Sequence, residues 1–162
     1  MKFFNRLLYS LILTISFISC SAGKQKVNAS QWHSLVSDND INFNETVFDK
    51  KLDLDSTDED GFNLLHISAT SGNFDSLRYI FENNIIPYDI LNDQNNIFRV
   101  TPLMTAVTSG CYRCVEYLIN KNADLYRVDA FGKQAVDIAQ ELNYLEIYEL
   151  LKSHLDQNSR KK

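Results

Sequence analysis

Apolar residues in the second half of the chain recur at three- and four-residue spacing, in short runs that polar residues separate. One pair of runs is Leu103, Ala106 and Val107, followed by Val115, Leu118 and Ile119. This spacing puts each set on one face of a helix, so it predicts two amphipathic helices. Pro102 stands where the first helix would begin, and Gly110, between the runs, can end that helix in the left-handed conformation. The pattern predicts a helix–turn–helix unit.

The N-terminus has a different pattern. Lys2 and Arg6 precede thirteen uncharged residues, 7–19, most of them apolar. As a helix this segment would be about 20 Å long, against the roughly 30 Å of a bilayer core. Positive residues followed by a short apolar segment are typical of an export signal. Residues 1–19 are therefore predicted to be a signal peptide rather than a membrane span or a buried helix.

The end of that segment resembles the lipobox of bacterial lipoproteins, in which a cysteine is lipidated and becomes the N-terminus. The small residue Ser19 precedes Cys20 as in that motif, although phenylalanine stands three places before the cysteine, where leucine is usual. The resemblance implies lipidation at Cys20, and Ser21 implies sorting to the outer membrane. The alternative is ordinary cleavage after Ala22, which would give a soluble periplasmic protein.

The helical pattern repeats along the rest of the chain. Residues 63–72 and 101–110 align at an offset of 38, with their apolar, small and glycine positions coinciding. A third copy begins at Gln134, and a step of 33 residues upstream from Asn63 reaches Ser30. Such periods predict a solenoid of stacked units. Four units are expected, at about 30–62, 63–100, 101–133 and 134–158, between a flexible tether at 20–29 and a polar tail at 159–162.

These units resemble the ankyrin repeat, which has a Gly-x-Thr-Pro-Leu-His start, a small pair, a glycine, a second helix and a Gly-Ala-Asp end. The matching residues are Gly61-x-Asn63-Leu64-Leu65-His66, Ala69, Gly72, Gly110, Asn122-Ala123-Asp124 and Gly132. The resemblance implies an all-α ankyrin-repeat solenoid of about four helix–turn–helix repeats with finger loops. It also places His33 and His66 at the family's structural histidine position. Independently of the resemblance, Asn39 and Asn143 match Gly110 in the first and last repeats, because asparagine is the non-glycine residue that best tolerates the left-handed conformation.

One connection is longer than the others. The segment from Ile85 to Asn96, between repeats two and three, has five more residues than the corresponding loops that begin at Lys51 and Asn122. It contains apolar as well as polar residues. Two outcomes are therefore open, since the segment either folds back on the repeats or offers a contact surface.

Composition and charge narrow the range of partners. The formal charge is −5 and the pI about 5.1, which argues against a nucleic-acid partner because phosphate binding needs a basic face. From Asp49 to Asp60 there are six acidic residues against Lys50 and Lys51. This stretch is either a solvated edge or a docking site for a basic patch, and it lacks the residue order of a calcium loop.

Cys111-Tyr112-Arg113-Cys114 is the motif closest to an enzyme signature, because a helix start lowers the thiol pKa in thioredoxin-like enzymes. Those enzymes need a preceding strand, which is not predicted here. A zinc site would need two further ligands at suitable spacing, and the sequence has none. Cys111 and Cys114 are expected to form a local disulfide or to stay as packed thiols. No catalytic set, metal site or cofactor is predicted, and the chain is not expected to be an enzyme.

The family resemblance implies binding through finger tips and the inner face of the first helices. The corresponding positions are Glu59, Asp60, Phe62, Thr70, Ser71, Ile97, Phe98, Val100, Thr108, Ser109, Phe131 and Lys133, with Ala130, Gln140 and Glu141 beside them. Phe62, Phe98 and Phe131 are expected to be exposed. Aromatic residues at exposed positions are the usual anchors of protein interfaces.

The expected function is therefore protein binding in the periplasm, with membrane attachment only through an N-terminal lipid. The leading hypothesis is an immunity protein that neutralises a toxin effector, such as a secretion-system phospholipase. The alternatives are a scaffold or chaperone for an envelope enzyme, and a thiol oxidoreductase built on the cysteine pair. This part of the interpretation rests on size, export and a binding fold, and so on analogy.

Overall fold

The computed structural model describes residues 26–37, 52–83 and 86–159. Within these ranges the chain forms eight helices and no β-strand, which confirms the predicted all-α class. The helices are α1 Ala29–Ser37, α2 Leu64–Thr70, α3 Phe74–Asn83, α4 Tyr88–Leu91, α5 Pro102–Thr108, α6 Tyr112–Asn120, α7 Ala135–Glu141 and α8 Leu145–Ser159. Two isolated β-bridges, Val27 with Leu52 and Thr57 with Asn63, lie in the connections.

Three helix pairs repeat one unit: α2 with α3, α5 with α6, and α7 with α8. In each pair a first helix of seven residues leads through a turn into a longer second helix. Helix α1 takes the place of a first helix in an additional unit at the N-terminal end. Residues 38–51, which follow α1, lie outside the described part of the chain.

Side-chain caps start helices α1, α2 and α5. Asn63 Oδ1 accepts a hydrogen bond from the backbone N–H of His66 at 3.1 Å. At the start of α1, Asn28 Oδ1 accepts from the N–H of Gln31 at 3.0 Å, and Gln31 Oε1 accepts from the N–H of Asn28 at 3.2 Å. These bonds satisfy N–H groups that have no partner inside the helix. They show where each repeat begins.

The cap on α1 corrects the alignment of the first repeat. Asn28, rather than Ser30, is equivalent to Asn63, so the offset is 35 residues and not 33. His33, which we predicted to be a structural histidine, is exposed, whereas its neighbour Trp32 is fully buried. The prediction failed because this divergent repeat has polar residues in either alignment, and only the capping hydrogen bonds distinguish the two.

Residues with positive φ make the turns between paired helices. Gly110 has a φ of +70° and Asn143 a φ of +57°. Both positions need the left-handed conformation, which glycine adopts freely and asparagine tolerates best among the other residues. The predicted equivalence of Asn143 with Gly110 is confirmed. Asn39 lies outside the described residues.

The first helices pack side by side, α1 on α2, α2 on α5 and α5 on α7, while α3, α6 and α8 form a second layer behind them. Leucines that are almost entirely removed from solvent lie between the layers: Leu64, Leu65, Leu77, Leu103, Leu118 and Leu151. Each contributes about 1.5–3 kcal/mol on burial. Because one helix pair cannot cover its own apolar face, the units are stable only as a stack. Trp32 connects α1 to the stack, because its Nε1–H donates to Ser68 Oγ of α2 at 2.8 Å.

The long connection between repeats two and three folds back on the repeats. It contains the short helix α4, in which Ile90 and Leu91 are buried. The carbonyl of Ile90 accepts from Asn63 Nδ2 at 3.3 Å, and Asn92 Oδ1 accepts from the backbone N–H of Asp124 at 2.7 Å. This segment therefore contacts the start of α2 on one side and the connection before α7 on the other, and it does not extend into solvent.

The predicted tether is too long at its C-terminal end. Val27 and Ala29 are buried, and the carbonyl of Val27 accepts from the N–H of Asp53 at 2.9 Å. The segment that begins at Lys26 belongs to the folded domain, because Val27 packs beside Leu52 in the connection that precedes α2. The predicted signal peptide and Cys20 lie outside the described residues, as do residues 160–162, and Ser159 of the predicted tail ends α8. No helix in the described part is long and apolar enough to span a bilayer.

Candidate protein-binding surface

Three loops, each preceding a first helix, lie along one edge of the stack. We call them finger 1 (residues 52–62), finger 2 (92–100) and finger 3 (124–133), and together the finger edge. At the tip of finger 1, Asp58 Oδ1 accepts from the N–H groups of Asp60 and Phe62 at 3.0 and 2.8 Å. Asp129 Oδ1 accepts from the same relative positions of finger 3 at 2.8 and 2.9 Å, and Asn96 Oδ1 accepts from the N–H four residues on at 3.0 Å. One side chain thus closes each tip.

Backbone hydrogen bonds join each tip to the next. The N–H of Ile97 donates to the carbonyl of Asp60 at 3.1 Å, and the N–H of Ala130 donates to the carbonyl of Phe98 at 3.0 Å. The fingers are therefore held in a fixed order and spacing. A surface that is ordered before binding loses less conformational entropy when a partner docks.

Large apolar side chains project from this edge. Ile97 is 62% exposed, Phe98 47% and Phe131 75%. The expectation that Phe62 is exposed is wrong, since it is half-buried with its ring centroid 5.4 Å from that of His66 and 6.5 Å from that of Phe98. Phe62 turns inward because these two rings lie beside it. Phe62 packs against Phe98 and is not a third exposed anchor.

The structure brings part of the predicted site together at the finger tips. Glu59 and Asp60 are exposed on finger 1. Val100 is half-buried, and its carbonyl accepts a hydrogen bond from a ring nitrogen of His66. Lys133 Nζ lies 2.6 Å from Glu141 Oε2. These last two residues have structural partners within the chain.

Four predicted hydroxyl residues, Thr70, Ser71, Thr108 and Ser109, lie away from the tips at the ends of α2 and α5. Each donates to a backbone carbonyl, of His66, Ile67, Met104 and Ala69 respectively, at 2.9–3.0 Å. A seven-residue helix separates them from the tips by about 10 Å. They belong to the inner face of the first helices, while the exposed apolar residues belong to the finger edge.

Sequence reasoning missed three exposed apolar residues here: Tyr126 and Val128 lie on finger 3, and Tyr88 lies beside the finger edge on α4. Tyr88 and Tyr126 line a cavity of about 440 Å³ together with Leu125 and His154. Because these residues follow neither helical nor strand periodicity, the apolar pattern contained no signal for them. At the opposite edge of the stack, Leu145 is 72% exposed.

The family model described as ankyrin repeats (3 copies) matches residues 14–129 and 85–161, nearly the whole chain. The chain belongs to the ankyrin-repeat family. No curated protein matches its sequence. Ankyrin repeats are protein–protein interaction modules and typically serve as non-enzymatic scaffolds. The general expectation of a protein-binding solenoid is therefore confirmed.

The ankyrin histidine at His66 has a structural role. Its Nδ1 accepts from the N–H of Asn63 at 3.4 Å, and its Nε2 lies 2.9 Å from the carbonyl of Val100. Burial lowers the pKa of His66 below its usual value, although the Val100 carbonyl and the charge of Asp93 oppose that shift. The neutral ring, with the proton on Nε2, suits both contacts. It ties the start of one repeat to the end of finger 2.

The two cysteines of the third ankyrin repeat form a disulfide at the start of α6, which is one of the two expected outcomes. Cys114 is fully buried, Cys111 is half-buried, and Cys111 Sγ accepts from the N–H of Cys114 at 3.2 Å. A turn after α5, rather than a strand, precedes the pair. In the described part of the chain, no group of three His, Cys, Asp or Glu could hold a metal ion.

The layer of second helices offers a less suitable surface. Tyr117 meets the rings of Phe74 and Phe81 edge-on at 5.4 Å, and burial raises the pKa of its hydroxyl. Arg113 lies 4.1 Å above the Phe74 ring, and Lys121 lies 5.6 Å from the centre of Phe81. Cation–π contacts within the chain thus occupy faces of these rings. The aromatic residues of the finger edge are more open to a partner.

Proposed function

We propose that this ankyrin protein binds another protein through its finger edge. The observation that carries the proposal is the set of exposed side chains Ile97, Phe98 and Phe131 on loops that hydrogen bonds already hold in place. Exposed apolar groups rimmed by polar ones mark interaction sites. Aromatic anchors that become buried at the centre of an interface often cost about 2 kcal/mol or more on truncation to alanine.

We further propose that the protein acts outside the cytoplasm. Lys2, Arg6 and the uncharged segment 7–19 support export, and the Ser19–Cys20 pair supports attachment through a lipid at Cys20. Within that setting we propose an immunity role, in which the chain binds and neutralises a toxin effector such as a secretion-system phospholipase. Small size, an export signal and a binding fold support this role. A scaffold or chaperone for an envelope enzyme is the alternative, and the partner's identity would separate the two.

A photo-crosslinking experiment in cells tests the surface and identifies the partner. A benzophenone amino acid replaces Phe131 on the finger edge or, as a matched control, Leu145, which is 72% exposed on the opposite edge. We expect a discrete protein adduct at Phe131 and none at Leu145. A toxin in the adduct would support immunity, and an envelope enzyme would support the alternative. Equal adducts at both positions would contradict the finger edge as the binding site.

Alanine variants then measure the contribution of each anchor with the purified partner. Phe98→Ala and Phe131→Ala should each weaken binding about 30-fold, which corresponds to ~2 kcal/mol, and leave the fold intact. Leu145→Ala should leave affinity unchanged, and Leu103→Ala should cost about 2–5 kcal/mol of stability because Leu103 is buried. Unchanged affinity in both phenylalanine variants would move the interface to another face.

A further inference from the structure

The three fingers differ in charge. Residues 52–62 of finger 1 contain five acidic residues and no lysine or arginine, whereas finger 2 and finger 3 each contain equal numbers of acidic and basic residues. Lys50 and Lys51 lie outside the described residues. When they are included, the stretch from Asp49 to Asp60 still has six acidic residues and two basic ones. The exposed apolar side chains, in contrast, lie on fingers 2 and 3. Charge and apolar area are therefore found at different ends of one edge.

Both basic residues of finger 3 form ion pairs within the chain. Arg127 Nε lies 3.2 Å from Asp124 Oδ2, and Lys133 Nζ lies 2.6 Å from Glu141 Oε2. On finger 1 the ion pair found among the described residues is Lys26 with Asp53, at 3.4 Å. The tip carboxylates of Glu59 and Asp60 are exposed and outside that ion pair. Their charge is available to a partner.

We propose that the finger edge takes a polarised segment of a partner protein, with lysine or arginine side chains over finger 1 and apolar or aromatic side chains over fingers 2 and 3. This inference rests on the proposed function and adds the chemistry and direction of the bound segment. The basic end lies against Glu59 and Asp60, and the apolar end lies against Phe98 and Phe131. Charge complementarity sets the orientation and speeds the encounter, while the phenylalanines keep the complex together.

The spacing of the repeats gives the length of that segment. Neighbouring packed helices lie about 8–10 Å apart, so three fingers that precede α2, α5 and α7 span roughly 20 Å. An extended chain covers about 3.3 Å per residue, so roughly six residues reach from finger 1 to finger 3. An anionic lipid surface fits less well, because the carboxylates of finger 1 repel it.

Selection from a library of random peptides tests the proposal without a purified partner. Peptides of about twelve residues, twice the span of the edge, are displayed on phage and selected on the immobilised chain. We expect enriched peptides to have basic residues at one end and aromatic or aliphatic residues at the other. Resynthesised peptides should bind Phe131→Ser at least about tenfold more weakly than the unchanged chain.

Charge reversal then tests the orientation. Glu59→Lys with Asp60→Lys should lower the association rate about tenfold at low ionic strength and much less at high ionic strength. The matched control is Glu146→Lys with Glu149→Lys, which makes the same change in net charge at two exposed positions of α8 and should leave the rate nearly unchanged. An equal effect of both reversals would overturn the proposal, because net charge alone would then explain the rate.

The remaining outcomes separate this proposal from the proposed function. Peptides that depend on Phe131 but have no basic bias would overturn the polarised segment and leave protein binding intact. A selection without any Phe131-dependent peptide would refute both. As a further arm, phosphatidylglycerol vesicles should bind no better than phosphatidylcholine vesicles. Preferential binding to the anionic vesicles would overturn the inference in favour of a membrane surface.

Discussion

A single methyl group added at Gly61 tests how closely fingers 1 and 2 approach each other. Gly61 has a φ of +86°, and a Cβ atom there would lie 2.6 Å from the carbonyl oxygen of Asn95 and 2.9 Å from the Cα of Asn96. Both atoms are backbone, so no side-chain rotation can relieve the overlap. Gly132 is the matched control, because its φ is +77° and a Cβ there would have no atom within 4 Å.

The expected magnitudes differ for this reason. Both alanine variants lose about 1–2 kcal/mol to the positive φ, partly offset by ~0.4–1 kcal/mol from the less flexible unfolded chain. At Gly61 the fingers must also separate, which weakens the 3.1 Å bond from Ile97 N–H to the Asp60 carbonyl and the stacking of Phe62 on Phe98. Each of those contacts is worth about 1 kcal/mol. Gly61→Ala should therefore cost roughly 2 kcal/mol more than Gly132→Ala.

Thermal unfolding followed by circular dichroism, with urea unfolding in parallel, measures this difference. For a domain of this size, 2 kcal/mol corresponds to roughly 8 °C in Tm. Equal losses in the two variants would contradict this explanation, because the positive φ would then account for everything. A loss that is larger at Gly132 would mean that fingers 1 and 2 are not in close contact.

Three further predictions concern single sites. Burial lowers the pKa of His66 below its usual 6.5, so on acidification the unfolded chain takes up this proton at a higher pH than the folded protein does. The free energy of unfolding should therefore be unaffected above about pH 7.5 and should fall below about pH 6.5 by up to ~1.4 kcal/mol per pH unit. Urea unfolding across this range should show a shallower dependence in His66→Gln, and identical slopes would contradict this. Replacing Cys111 and Cys114 by serine removes a disulfide whose cysteines are separated by only 3 positions. The double variant should therefore lose at most about 2 kcal/mol of stability, and its affinity for the partner should change only a few-fold. An oxidoreductase activity that disappears in this variant would support the enzyme alternative. Mass spectrometry of the mature N-terminus should show diacylglyceryl Cys20, and a free N-terminus at Gly23 would contradict lipidation.

Local sequence patterns were sufficient to predict the fold class and the repeat architecture. The apolar stripe through Leu103 and Val107 and the glycine at Gly110 are local requirements, because helical periodicity and a positive φ depend on neighbouring residues only. Their recurrence in successive repeats was therefore visible without a structure. The same reasoning identified Asn143 as the counterpart of Gly110, whereas His66 was identified as a structural histidine through the resemblance to the ankyrin repeat.

The exposure of side chains at the finger edge, in contrast, depends on contacts between repeats. Phe98 and Phe131 occupy equivalent positions, but Phe98 is 47% exposed with its ring centroid 6.5 Å from that of Phe62, whereas Phe131 is 75% exposed. The difference arises because burial of a loop side chain depends on the neighbouring finger, more than thirty residues away in the sequence. The same applies to α4, whose Ile90 is buried by the fold of the neighbouring connections, and to Val27, which packs beside Leu52. Local patterns contain the period of the repeats, while contacts between repeats determine what each loop presents to a partner.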